Sequence, residues 1–303
     1  MLFNIINWTA DPVIFSFTIG GFQPEIRWYG LLFATGFIVG QLILAKIWKI
    51  EGKNEADFEA LCLSVIISTV VGARLGHVIF YDLKDYLASP LAIFKVWEGG
   101  LASHGATIGI LFALWLYCRK RPDQPFLWVV DRIVIVVALG AMCIRLGNLM
   151  NSEIVGKPTN ENYAFVFSRA TGLGDYSKIP PGLDDQQYRQ AVGAADFIAA
   201  QIPRHAAQLY EAISFLVLFL ILIFVYNRFK TKTPQGLLFG IFMVYTFTLR
   251  FFYEFLKEAQ VAFENNLPIN MGQILSIPAV IAGVYILYLA SKKAPSPSVA
   301  KGE

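Results

Sequence analysis

Seven stretches of this chain are apolar for long enough to cross a bilayer, and no other feature narrows its fold as far. They cover residues 28–48, 60–81, 101–117, 126–144, 209–225, 237–256 and 274–289. A hydrocarbon core about 30 Å thick asks a helix for roughly 17 to 25 mainly apolar residues, because backbone polar groups find no water there and must bond within the segment. Of the 303 residues 56% are hydrophobic and only 16% charged, which is not the balance of a soluble domain. The expected fold is an all-α integral membrane protein of seven transmembrane helices. It forms one polytopic domain over residues 1–291 and ends in a disordered tail over 292–303. The opening "MLFNIINWTADP" lacks the basic start and cleavage pattern of a secretory signal, so the spans themselves are expected to direct the chain to its membrane.

Cations in short loops mark the cytoplasmic side. Lys46, Lys49 and Lys53 follow the first run, Arg119, Lys120 and Arg121 the third, Arg228, Lys230 and Lys232 the fifth, and Lys292 and Lys293 the seventh. The alternate connections hold fewer: Lys84 and Lys95, then Lys257. This places the N-terminus outside and the C-terminus in the cytoplasm. A small external head, residues 149–206, then lies between the fourth and fifth spans. Within it "LDDQQYRQAVGAADFIAAQ" reads as a surface helix capped by Asp184 or Asp185. Cys62, Cys118 and Cys143 have no paired spacing and read as packing residues, not as a disulfide framework or a zinc site. A net charge of +3 gives no support to a nucleic-acid partner.

With that topology, polar residues gather at the outer end. Arg27 and Tyr29 begin the first span, Arg74 and His77 lie late in the second, and His104 sits early in the third. Arg145 and Asn148 close the fourth, Gln208, Tyr210 and Glu211 open the fifth, and Arg250 and Glu254 end the sixth. Asp131 and Arg132 are the exceptions in the inner halves. Ionisable groups in lipid are costly and face a protein interior, a cavity or a partner. One polar cavity opening towards the outer leaflet is therefore expected. "GARLG" and "GATIG" set Gly72 and Gly76, and Gly105 and Gly109, at the four-residue spacing that lets helices approach closely.

Arginines at the depth of lipid phosphates suit an anionic substrate, since a guanidinium fork matches phosphate oxygens and keeps its charge when desolvated. Arg145 and Arg250 are the candidates, with Glu254 four residues on and placed to orient Arg250. The plainer alternative is that Arg250 and Glu254 merely neutralise each other and Arg145 snorkels to the interface. His104 could accept a proton from a nucleophile; a packing role is the alternative. His77 and His205 are weaker candidates. Asn148 and Asn151 offer amides at a three-residue spacing, Glu153 could tie the turn together, and Gly156 would permit a backbone conformation closed to other residues. Helix termination at the interface accounts for one asparagine but not for the whole set. No serine-elbow, zinc-protease, phosphate-loop or dinucleotide motif is present. Residue chemistry alone thus reaches a phospholipid-handling membrane protein. An anion or lipid transporter would need polar groups towards both faces, and an assembly factor would need no base beside the arginines.

The motifs also resemble a family. "IRLGNLMNSEIVG", residues 144–156, is similar to the signature of the bacterial prolipoprotein diacylglyceryl transferases, with Arg145, Gly147, Asn148, Asn151, Glu153 and Gly156 at its spacing. "RWYG", "VWEGGLASHG", "PRHAAQLYE", "RFFYEF" and "MGQILSIP" resemble the family's other blocks in order. Ile144, Leu149, the pair Ala206 and Ala207, and Thr246 depart from the family pattern; Tyr245 adjoins the position where a tyrosine is expected. The resemblance implies transfer of the diacylglyceryl group of phosphatidylglycerol to the lipobox cysteine thiol of a prolipoprotein, forming a thioether and releasing glycerol phosphate. It implies a bacterial cytoplasmic (inner) membrane enzyme, working on membrane lipid towards the periplasmic side, with no metal or organic cofactor and no need to oligomerise. Arg145 then falls on the phosphatidylglycerol-binding arginine, Arg250 on a second essential one and His104 on the proposed base. Tyr29, Asn148, Glu153, Glu211 and Glu254 fall on functional positions.

Overall fold

A computed structural model describes residues 5–18, 20, 24–95, 100, 102–174, 185–257 and 269–292. Each of the seven apolar runs lies on a helix: α1 (Trp28–Ile50), α2 (Glu55–Phe80), α4 (Ser103–Arg119), α5 (Phe126–Met150), α7 (Ala207–Phe229), α8 (Leu237–Tyr253) and α9 (Met271–Lys292). Two further helices, α3 (Leu83–Ala88) and α6 (Asp185–Ala200), lie in connections. Among the described residues, α1, α2, α5, α7 and α9 are long and apolar enough to cross a membrane. Helices α4 and α8 have 17 residues each, so the expected sixth run stops three residues short, where Glu254 begins a non-helical turn. Large apolar side chains such as Leu42, Phe224 and Ile281 point outwards, as they do where lipid rather than water is the solvent.

Helix α5 is the axis. Its sequence is apolar on every side, the pattern of a helix enclosed by neighbours, and it packs against α1, α7 and α8, while α2 pairs with α4 and α8 with α9. Glycines set the closest approaches. A Cβ on Gly76 would lie 2.6 Å from the Gly105 Cα, and one on Gly72 3.1 Å from the Gly109 Cα, so the two glycine pairs interlock α2 and α4 as their spacing suggested. Between α1 and α5, Gly36 lies against the buried Cys143, a packing role for that thiol.

Asp131 and Arg132, both wholly buried, fasten the end of the bundle away from the polar cluster. Asp131 accepts from the Gly236 and Phe239 amides at 2.7 and 2.8 Å. It thereby caps the N-terminus of α8 from another helix, where backbone donors would otherwise be orphaned. Arg132 pairs with Glu51 at 2.8 Å and lies over the Trp128 ring. At the same end Arg121 and Gln124 grip the two oxygens of Asp57. Lys53 donates to Asp123 at 2.7 Å, a bond that holds the Asp123 carboxyl below the usual carboxylate range.

The head is small and only partly helical. Strand β1 (Ile6–Trp8) runs parallel to β4 (Phe165–Phe167), and β2 (Val13–Ser16) pairs antiparallel with β3 (Glu25–Arg27). The Trp8 indole donates to the Leu149 carbonyl at 2.9 Å, pinning the N-terminal strand to the end of α5. Helix α6 falls on the expected surface helix, and Asp196 within it accepts from the Leu173 and Gly174 amides. Asp184, one of the two expected caps, and the tail after Lys292 lie outside the described residues.

Candidate active site

The signature residues occupy the last turn of α5 and the bend after it, against the first turn of α7. Arg145 Nε lies 2.6 Å from Glu211 Oε2, and Arg145 Nη1 donates to Asn148 Oδ1 at 3.5 Å. Asn148 and Asn151 donate in turn to the two oxygens of Glu153, at 3.3 and 3.1 Å. Gln208 on α7 donates to the Glu153 carbonyl at 2.6 Å. Glu153 thus ties the turn together through both asparagines, whose amides hold an exposed carboxylate in place. Tyr29, at the start of α1, lies close against Gly147: a Cβ there would be 2.8 Å from a ring carbon of the tyrosine.

The expectation for Gly156 needs correcting. Its backbone is not left-handed; the positive φ angles in this bend fall on Ser152 and Ile154, at 54° and 56°. Glycine is required at 156 for room, because a Cβ would lie 2.7 Å from both the Cβ and the carbonyl oxygen of His205. A left-handed β-branched residue is a genuine outlier and stores local strain. Ile154, directly after Glu153, is such a residue.

The second arginine belongs to α8. Arg250 Nη2 is 3.6 Å from Glu254 Oε1, as their spacing predicts. Asn270, before α9, donates to the other Glu254 oxygen at 3.1 Å and exchanges hydrogen bonds with Gln273 to cap that helix. Gly272 leaves the space that the Glu254 carboxylate fills. The two arginine groups converge: Arg145, Glu211, Ser214, Tyr245, Thr246, Arg250 and Tyr253 line a single cavity of about 50 Å³ between α5, α7 and α8. Thr246, at the position where the family pattern has tyrosine, and Tyr245 beside it both face this space. Tyr253 adds a hydroxyl that bonds to Ser214 and, at 3.4 Å, to the Tyr210 carbonyl.

Other expected members lie apart. His104 packs on the Phe80 and Tyr81 rings, at 5.1 and 5.8 Å between centroids. Tyr81 also stacks on His77, whose Nε2 pairs with Asp82 at 2.7 Å. Arg74 is buried and donates to the carbonyls of Ala92, Ile93, Lys95 and Gly100, clasping the α2–α4 connection. Arg27 pairs with Glu25 on an exposed strand. Part of the "VWEGGLASHG" block, residues 96–99 and 101, lies outside the described residues.

One residue that reads in the sequence as a loop cation belongs here. Lys257 is 5% exposed and pairs with the Oε1 atom of Glu211. The sequence carried no local signal for it, because its partner Glu211 lies on α7, far away in the chain.

A bundle of long apolar helices, with arginines from two of them lining one cavity, defines an integral membrane protein with a charged cavity between its helices. Comparison with known proteins narrows the class. A model of the family described as prolipoprotein diacylglyceryl transferase matches residues 12–289. A phosphatidylglycerol–prolipoprotein diacylglyceryl transferase of Tolumonas auensis is 40% identical over 289 residues, covering 95% of this chain and 99% of its own. Enzymes of the same name from Chloroherpeton thalassium and Porphyromonas gingivalis are each 41% identical, over 96% of both chains and 95% of both chains respectively. The chain belongs to the prolipoprotein diacylglyceryl transferase family, and is a multi-pass bacterial membrane protein.

Proposed function

We propose that this protein transfers the diacylglyceryl group of phosphatidylglycerol to the thiol of a prolipoprotein's lipobox cysteine, the first step of lipoprotein maturation. The observation that carries the reading is the convergence of Arg145 and Arg250 on one cavity in a member of this family. The thiol is a poor nucleophile until deprotonated. Its thiolate attacks the glyceryl carbon bonded to phosphate, a C–S bond forms, and the C–O electron pair leaves with the phosphate as glycerol phosphate. Charge grows on the departing phosphate oxygens, and two guanidinium groups facing it stabilise that growth most in the transition state. Asn148, Asn151 and Glu153 order the bend beside the head group, Glu211 and Glu254 aim the two arginines, and Tyr29 closes the wall at Gly147. The thiol proton goes to His104 or to a carboxylate near it.

A second cavity supports a lipid donor. It has a volume of about 300 Å³, lies between α1, α2 and α5, and is walled by apolar side chains and by Gly36, Gly40 and Gly140. It begins at Ile144, the neighbour of Arg145, and its lining continues along α5 to Ile133. Eleven helical steps of about 1.5 Å each cover roughly the depth of one leaflet, so one acyl chain finds a course there. On this proposal the chain has seven spans with the N-terminus outside, and so its arginine end is the one towards the outer face of the cytoplasmic membrane. The cation-rich loops support this orientation, since they lie at the other end of the helices. At that end Asp131, Arg132 and Glu51 are tied to partners, which disfavours a transporter open to both faces.

The test incubates the purified protein, in phosphatidylglycerol bilayers, with a peptide bearing a lipobox cysteine. The expected result is a mass gain of one diacylglyceryl unit on sulfur. Unmodified peptide in the presence of folded wild-type protein refutes the reading.

A further inference from the structure

The Arg145–Glu211 pair has a third member that none of the motif residues anticipates. Glu211 is nearly buried, and each of its oxygens has its own cation: Oε2 faces Arg145 Nε, and Oε1 faces Lys257. Lys257 is held firmly from its backbone side. It pairs with Gly156 across an isolated antiparallel bridge, and the neighbouring Leu256 carbonyl accepts from the Lys157 amide at 2.7 Å. The strained bend after α5 and the end of the α8 segment are thus joined where the lysine enters. Two cations share one carboxylate, so this group carries one positive charge in excess. The other nearby carboxylate, Glu153, is exposed and already held by the two asparagine amides.

A carboxylate facing a guanidinium prefers to take two parallel N–H bonds from it. Glu211 does not do so, because its second oxygen is occupied by Lys257. We propose that Lys257 is a positioning residue of the donor-lipid site: by holding Glu211 Oε1 it keeps that carboxylate from capturing the Arg145 fork, and so leaves the outer guanidinium nitrogens to a phosphate. The proposal rests on the function given above for its ligand, a phosphodiester anion. Its physical content is the sharing of one carboxylate between two cations.

The experiment measures equilibrium binding of a fluorescent phosphatidylglycerol by the full-length protein in phosphatidylcholine nanodiscs, with transfer kinetics alongside. Lys257→Met is expected to weaken binding and raise KM by about tenfold or more, the scale of one lost charge-assisted contact, with a smaller change in kcat. Lys257→Arg is expected to restore both. In the Lys257→Met background, Glu211→Gln is expected to recover affinity, since it removes the competitor for Arg145; a scaffold role would make the double variant worse. Should Lys257→Met unfold, the double variant, which buries no unpaired carboxylate, is compared with Glu211→Gln alone, and the two should bind equally. An unchanged affinity in Lys257→Met, or a double variant that binds less tightly than Glu211→Gln, overturns the proposal. Binding decides this even if the wild type transfers nothing, an outcome that would instead overturn the assigned reaction.

Discussion

Replacing Arg145 with lysine retains the charge and removes the fork, which isolates what the geometry contributes. In the structure Nε faces Glu211 at 2.6 Å and Nη1 reaches Asn148 at 3.5 Å. A guanidinium has five N–H donors in a plane, so two inward contacts leave the outer ones for a phosphate. A lysine ammonium is a single point, and the buried Glu211 would hold it. The phosphate then loses at least one charge-assisted hydrogen bond, about 1.5–3 kcal/mol, which corresponds to a fall of roughly 10- to 150-fold in kcat/KM. The loss should exceed any loss of stability, because the charge pair with Glu211 persists. Transfer to a lipobox peptide, followed by mass spectrometry across a range of phosphatidylglycerol contents, measures the first quantity, and a thermal melt in the same detergent measures the second. An Arg145→Lys enzyme within threefold of wild type would refute the claim that the fork grips phosphate.

Three other outcomes follow from the packing. Gly76→Leu must push α2 from α4, since even its Cβ would lie 2.6 Å from the Gly105 Cα; overpacking of this kind costs about 1–3 kcal/mol, and an unchanged melting temperature would show that the helices do not meet there. Asp131→Ala strips two buried amides of their acceptor and is expected to cost about 1–3 kcal/mol for each, lowering the melting temperature while KM for the lipid stays constant. Gly140→Leu adds a side chain at a cavity-lining position where a Cβ meets nothing within 4 Å, so it extends into the apolar cavity. It should shift the preferred donor towards shorter acyl chains, and an unaltered chain-length profile measured with defined lipids would place the acyl chains elsewhere.

Hydropathy is a one-dimensional property, and what depends on it was legible in the chain before folding. The seven apolar runs, the interlocking glycines at 72, 76, 105 and 109, the clustering of polar residues at alternate helix ends and the spacing of Arg250 with Glu254 all follow from local periodicity. So does the signature from Arg145 to Gly156, whose members are close neighbours in sequence. Asp131 and Arg132 could be flagged as costly, but which helix Asp131 caps depended on where the start of α8 came to rest.

Ion pairing between distant segments is decided by which helix ends become neighbours, and no pattern within one segment records that. Arg74, by its depth a fellow of Arg145, instead met four backbone carbonyls of its own loop. Lys257, by its position a loop cation, met the carboxylate that Arg145 also holds. His104 came to rest on two aromatic rings, and Gly156 proved necessary for the nearness of His205 rather than for its own torsion. The amino-acid order thus set that this chain spans a membrane and gathers charge at one end, because transfer energies are close to additive along a helix. Only the three-dimensional packing decided which charge answers which, because Coulombic and hydrogen-bond energies depend on distances between residues that the chain holds far apart.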